Sequence, residues 1–317
     1  MLLRTFLAWL TVCSTALVTP AVNAQAALAN VSQRTLDRLM LLDVARAGRR
    51  VVAVGEHGHI VIADDAGKAW RRATCDCTAT LTAVVFADEK NGWAVGHDAL
   101  IVHSSDGGLS WQQQHIDVKA QAPLLDVWFS DARHGFAVGA YGVLLETRDG
   151  GQSWQPRRIA QEERHLNAIA GGPDGRLYVA GEGGLLYASD DLGEHWRALA
   201  SPYQGSFFGV LRLPGQGVLA FGMRGHIFRS GDGGVSWQAA HSETTAFLMG
   251  GAVADDGAIV LAGLGATLLV SRDQGASFTP LQPAGGKGYA ALLPPGRTEP
   301  LLVVGEGGVR QVLFNGR

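Results

Sequence analysis

A short strand that ends in glycine recurs seven times: Val52-Ala53-Val54-Gly55, Trp93-Ala94-Val95-Gly96, Phe136-Ala137-Val138-Gly139, Tyr178-Val179-Ala180-Gly181, Leu219-Ala220-Phe221-Gly222, Val260-Leu261-Ala262-Gly263 and Leu302-Val303-Val304-Gly305. Successive glycines stand 41, 43, 42, 41, 41 and 42 residues apart. A period this regular means one supersecondary unit per repeat, and units that cannot bury their apolar faces alone must stack on one another. Each unit reads as four short β runs. Blade 3 supplies the type: an inner run at Leu125 to Phe129, the Gly-terminated strand, a third at Val143 to Thr147 and a fourth starting at Ser153-Trp154, separated by turns rich in Gly, Asp and Asn. No 3.6-residue apolar period competes with this reading. The spacing therefore predicts an all-β, seven-bladed propeller of four-stranded antiparallel blades, in a single domain over residues 25–317, with repeats starting near 39, 81, 124, 166, 207, 247 and 289.

Between the third and fourth runs the string Ser-x-Asp-x-Gly-x-Ser-Trp is intact at Ser104 to Trp111 and Ser230 to Trp237, and has Thr in first place at Thr147 to Trp154. Ser189 to Trp196 carries His195 in the penultimate place, Ser271 to Phe278 replaces the Trp, and Ala63 to Trp70 is degenerate. This is an Asp box. Its carboxylate accepts N–H bonds across the turn, its glycine takes a positive φ, and its aromatic packs between blades. Asp106, Trp111, Asp149, Trp154, Asp191, Trp196, Asp232, Trp237 and Asp273 are accordingly read as structural.

The seventh unit stops at Val309 to Phe314 without a box or a fourth strand. The ring needs covering there, because an open sheet edge is a liability. The expected donor is the N-terminal segment, with Ala27 to Leu36 pairing with Arg310 to Leu313.

Residues 1–24 read as a cleaved export signal: one charge at Arg4, an apolar stretch from Phe6 to Val18, and Val22-Asn23-Ala24 at the cleavage end. The stretch is too short to span a bilayer, and Val12 before Cys13 argues against a lipid anchor. The expected location is the periplasm. Removing the leader leaves 25 basic residues against 29 acidic, a balance that disfavours nucleic acid as a partner. Of the cysteines, Cys75 and Cys77 remain. The readings open to them are a disulfide, which only a turn would permit, a free thiol pair, or half a zinc shell.

The strings A-V-G-x-x-G-x-[IL] and S-x-D-G-G-x-S-W on one exported seven-bladed ring resemble the photosystem II stability and assembly factor family and its bacterial relatives, over essentially all of Leu39 to Phe314. The resemblance implies a non-catalytic, chaperone-like role, binding a membrane protein during assembly through a basic patch. The present chain is acidic and shows no arginine cluster at the corresponding turns.

In a propeller, the turns between second and third strands share one face with the loops leading into the inner strands, which we term the upper face. Candidate partner-binding residues are His57, His97, Asp98, Tyr141, Glu182 and Arg224 in those turns and Tyr203 and Lys287 in the leading loops, with Glu56, Glu306, His165 and Tyr289 beside them. They differ between repeats while the strands stay alike, the pattern of a scaffold bearing a separate contact surface. The expected function is an exported scaffold docking a protein partner, such as a membrane complex or transporter, without direct membrane insertion. The alternative is a glycan-acting hydrolase. A sialidase needs an arginine cluster, yet Arg224 is the only arginine in these turns; Asp-box endoglucanases pair two rings around a cleft, whereas one ring is present here. A third reading is a small-ligand or metal binder using His57 with His59 or His97, for which two histidines alone are a weak signal; Gly181-Glu182-Gly183-Gly184 precedes no helix that would bind phosphate. No catalytic, metal or cofactor site is read.

Overall fold

The computed structural model describes residues 28–64, 67–159, 163–282, 285–294 and 300–314. The expected export signal and Ala27 lie outside these residues. Seven sheets, antiparallel but for one added edge strand in blade 2, follow one another in chain order. Blade 3 is representative: Leu124–Phe129 pairs with Gly135–Gly139, that strand with Leu144–Thr147, and the last with Gln155–Arg157. Its fourth strand starts two residues later than expected, because Ser153 and Trp154 belong to the box turn.

The blades share their apolar surface across seams. The described residues form seven apolar clusters, one at each junction between neighbouring blades, and not one central core. Each second strand is buried along its length, covered on both sides, as in Gly135–Gly139 and Val218–Gly222. The box aromatic of each blade closes the seam toward the blade before it. Trp111 lies between blades 1 and 2, Trp154 between 2 and 3, Trp196 between 3 and 4, Trp237 between 4 and 5, and Phe278 between 5 and 6. Phe314 takes the corresponding place between blades 6 and 7, with the Arg272 guanidinium 5.4 Å from its ring centroid. Trp70 does the same at the junction of blades 7 and 1.

The box turns themselves are hydrogen-bonded staples. Asp106 takes the Ser104 hydroxyl at 2.8 Å, the Ser110 N–H at 3.0 Å and the Ser110 hydroxyl at 2.6 Å, while Ser104 Oγ accepts the Gly108 N–H at 2.8 Å. Asp149, Asp232 and Asp273 repeat the pattern. In blade 4, Asp191 uses the His195 N–H and ring instead of a serine. The Ser153 and Ser236 hydroxyls, followed by the backbone N–H groups, hold the Asp149 and Asp232 carboxyls at about 2.

Three departures from the four-stranded expectation occur. Blade 1 gains an outer fifth strand, Asn30–Val31, antiparallel to Trp70–Arg72. Blade 2 gains Thr74–Cys75, parallel to the start of Ser110–His115. Blade 7 has three strands among the described residues: Gly288–Leu293, Leu301–Glu306 and Gly308–Val312.

The N-terminal segment does span blades 1 and 7, but the expected strand pairing with Arg310 to Leu313 is not how it does so. Ser32 caps a helical turn over Gln33–Leu36, its hydroxyl accepting the Thr35 N–H at 3.2 Å, and this local bond diverts the segment from an extended path. Leu36 then enters the seam with Leu302, Val304 and Val309. Arg310 pairs with Asp37 at 2.7 Å, and the Gly308 N–H donates to the Leu39 carbonyl at 2.9 Å. Gly308 sits at φ 78°, and a Cβ there would lie 2.1 Å from the Leu36 carbonyl oxygen. Among the described residues the ring is thus locked by a buried side chain, an ion pair and the single antiparallel bridge Met40–Glu306, and not by a strand shared between the first and last blades.

Two predictions follow the seams. Leu36→Ala removes a side chain only 2% exposed, and denaturant unfolding should show a loss of about 2–5 kcal/mol. Trp111, 4% exposed, donates its indole N–H to the Gly108 carbonyl at 3.0 Å, whereas Trp237 is half-buried and its Nε1 has no partner. Trp111→Ala should therefore cost about 3–5 kcal/mol and Trp237→Ala measurably less; equal losses would contradict this account of the seams.

Candidate functional site: the upper face and channel mouth

Blades 1 to 5 each turn from second to third strand through one turn of 3-10 helix, and the middle residue of each turn has left-handed backbone. These residues are His57 (φ 56°), Asp98 (φ 59°), Tyr141 (φ 56°), Gly183 (φ 61°) and Arg224 (φ 57°). Glycine is the residue this conformation favours, and blade 4 uses it. A side chain there costs about 1–2 kcal/mol. Four blades nevertheless carry one. His97 and Glu182 hold the first position of their turns and are exposed.

The structure brings part of the predicted set together. Tyr141, 56% exposed, sets its ring edge-on to His165 with centroids 5.0 Å apart, and its N–H donates to His165 Nδ1 at 3.1 Å. Glu182 accepts the His165 N–H at 3.2 Å. Lys287 pairs with Glu306 at 3.0 Å on blade 7. Tyr203 turns inward, its ring 4.5 Å from His226 and 5.7 Å from Phe228 by centroids, so it is half-buried in the seam between blades 4 and 5. Tyr289 is buried, its hydroxyl donating to the Gly285 carbonyl at 2.6 Å. The burial of Tyr289 corrects its placement on the surface: an aromatic at the start of an inner strand fills the seam.

Beneath the face, the inner strands enclose a central cavity of about 530 Å³. One side is polar. Asp43 accepts the N–H of Val44 at 2.8 Å and, from the next blade, of Val84 at 2.7 Å. Thr82 donates to the Leu124 carbonyl at 2.7 Å, Asp126 accepts from Val127 at 2.8 Å and Ile169 at 2.9 Å, and Asn167 donates to the Phe207 carbonyl at 2.7 Å. These four side chains tie blade 1 to 2, 2 to 3, 3 to 4 and 4 to 5. Blades 5 to 7 line the cavity with Phe208, Phe221, Met249 and Leu292.

The apolar half continues outward onto the upper face. Phe208 and Phe247 have ring centroids 5.9 Å apart, Phe247 is 38% and Leu264 47% exposed, and the Leu264 N–H bonds the Phe247 carbonyl at 2.9 Å. An apolar crescent over blades 5 and 6 thus faces a polar arc over blades 1 to 4 across the channel mouth.

Neither the channel aspartates nor the crescent is singled out by the sequence reading. The signal for the first was present: Leu41-Leu42-Asp43-Val44 recurs as Leu124-Leu125-Asp126-Val127. An acid inside two otherwise apolar inner strands needs a partner that the strand itself does not supply. The crescent has no such mark, since Phe207-Phe208 and Phe247-Leu248-Met249 read as ordinary core.

Burial pushes the Asp43 and Asp126 carboxyls up to about 7 against the opposing pull of their backbone N–H bonds, and the charge of Asp126 adds to the rise at Asp43. A carboxyl whose folded value is raised stabilises the fold fully below its unfolded value near 4, and that contribution is lost as pH rises through 7. Stability to denaturant should fall between pH 4 and 8 by on the order of 1–4 kcal/mol per group. Asp43→Asn and Asp126→Asn should each flatten that slope; an unchanged slope in both would contradict it.

Residues 62–123 and 111–262 match the family described as Photosynthesis system II assembly factor YCF48. Over 52 residues the chain is 35% identical to the Photosystem II assembly lipoprotein Ycf48 of Prochlorococcus marinus (strain NATL2A), a stretch covering 16% of this chain and 15% of that relative's length. Among solved structures, YCF48 bound to D1 peptide superposes with a TM-score of 0.67 at 18% identity, over 88% of this chain and 93% of the other. YCF48 from Cyanidioschyzon merolae gives 0.68 at 15% identity, over 86% and 94%. The WD40 propeller domain of Doa1 gives 0.71 at 10% identity, over 88% and 94%. At these identities the structural likenesses concern the fold.

Proposed function

The chain belongs to the family of the photosynthesis system II assembly factor YCF48, and on that premise we propose that it is a non-catalytic assembly factor that docks an exposed peptide segment of a membrane protein complex on its upper face. The observation that carries the reading is the set of turn residues His57, Asp98, Tyr141 and Arg224, held in left-handed backbone on one face around an open channel mouth. A fold does not retain such residues for its own stability, since glycine would serve better there; strain kept at equivalent positions of one surface points to use of that surface. A related YCF48 is described with a bound D1 peptide, which supports a peptide as the kind of ligand. The apolar crescent at Phe247 and Leu264 offers anchorage for apolar side chains, and the polar arc sets orientation and register.

The leader supports export to the periplasm, where the upper face would meet loops and termini of membrane proteins. Among the described residues no helix is long and apolar enough to cross a membrane. Contact with the membrane would then run through the client.

The test is binding to an array of peptides from the extramembrane segments of the host's membrane proteins. Phe247→Ser and Tyr141→Gly should each weaken the best peptide by roughly tenfold or more, about 1.4 kcal/mol. Tyr141→Gly should melt no lower than the parent, and up to about 1 kcal/mol of stabilisation is expected from the relieved backbone. Full retention of binding in both variants would move the docking site off this face.

A further inference from the structure

We propose that Cys75 and Cys77 form a thiol–disulfide exchange site on the upper face, acting on cysteine-bearing polypeptides. The two are joined in a disulfide, with Cα atoms 5.3 Å apart. The strand ends at Cys75 and the chain leaves extended pairing there, which is how residues two apart come within bonding reach.

The cross-link encloses a single residue, Asp76. The constraint a disulfide places on the unfolded chain grows with the logarithm of loop length, so this one removes roughly half the entropy that a fifteen-residue loop would. The segment is also held without it. Thr74 donates its N–H to the Leu109 carbonyl at 2.9 Å, and Thr74–Cys75 pairs with Ser110 and Trp111. Downstream, the Thr80 carbonyl accepts the His97 N–H at 2.9 Å. On the other side Gly58, at φ 64°, packs so closely that a Cβ would lie 2.1 Å from the Cys77 carbonyl oxygen. A staple that adds little to a loop already fastened on both sides calls for another use.

Access and position supply it. Both cysteines are half-buried at the rim of the seam between blades 1 and 2, Asp76 between them is exposed, and the loop leads from the outer strand of blade 1 into the inner strand of blade 2, beside the turns bearing His57 and His97. Exchange requires a thiolate to reach one sulfur in line with the bond it breaks. A client thiolate attacks one sulfur of the pair, an intermolecular disulfide forms, and the other cysteine leaves as a thiolate that takes a proton from water. A second client thiolate then attacks the client sulfur of that bond and expels the bonded cysteine as its thiolate. The client dithiol is oxidised to a disulfide by two electrons and the Cys75–Cys77 pair is reduced by the same two; oxidised glutathione restores it by the reverse exchange.

The inference goes beyond docking and is tested without an identified client. A reduced two-cysteine peptide is incubated with the full chain and oxidised glutathione, and its oxidation is followed by alkylation and mass spectrometry. The native protein should speed oxidation by on the order of tenfold or more over the C75S/C77S double variant. A one-cysteine peptide, which cannot resolve the bond itself, should accumulate as a mixed disulfide on the native protein and not on the double variant. The double variant should melt within a few degrees of the parent. Equal peptide oxidation by native and double-variant protein would overturn the proposal, as would a pair that stays oxidised in glutathione mixtures that reduce a free Thr-Cys-Asp-Cys-Thr peptide. So would a double variant that fails to fold, which would make the pair a structural staple. Failure of the peptide array with exchange intact would count against docking alone.

Discussion

Every blade of this protein depends on burial at its seams. A four-stranded sheet of short strands has two apolar faces and no stability of its own, so each blade is completed by the one before it and the one after it. The seven clusters make this concrete, and each is closed at its rim by one aromatic of the later blade. It follows that the first and last blades must meet. The seam between them contains Leu36, whose helical turn is fastened to blade 7 by Arg310 and Gly308. One buried leucine from outside the repeats thus joins the last blade to the first.

The rigidity of the seams allows the upper face to carry features that are costly in themselves. Left-handed turn residues survive because strands on both sides over-determine the turn: Gly55 N–H bonds the His59 carbonyl and Gly139 N–H the Val143 carbonyl, with the strained residue between. The channel shows the same division of labour. Asp43, Thr82, Asp126 and Asn167 satisfy backbone groups of neighbouring blades and so stitch the polar half, whereas blades 5 to 7 pack through apolar side chains and leave Phe208, Phe247 and Leu264 at the mouth. The result is a face with two chemical halves on a ring whose scaffold repeats.

The glycine period, the four-run units and the Asp boxes were legible in the sequence because each depends on contacts within a few residues. An Asp-box carboxylate reaches the residue four positions on, and its leading hydroxyl the glycine four positions on. The candidate residues of the second-to-third turns were legible for the same reason, since a turn's place on a face follows from its place in the hairpin. Tyr203 and Tyr289 were not, because their rings fill seams, Tyr203 against Phe228 and Tyr289 in one cluster with Val260, Leu268 and Leu301, on elements the local pattern does not connect.

What the sequence determined by itself, then, is the number of blades, the chemistry of their turns and which loops share a face. Tertiary structure decided how the ring closes, which inner-strand acids join blades, where an apolar crescent emerges and that Cys75 meets Cys77 on the upper face. The physical reason is range. The ties from Asp43 to Val84, Asp126 to Ile169 and Thr82 to Leu124 span 41, 43 and 42 residues, and Arg310 reaches back 273 residues to Asp37; such contacts exist only after the blades have been brought side by side.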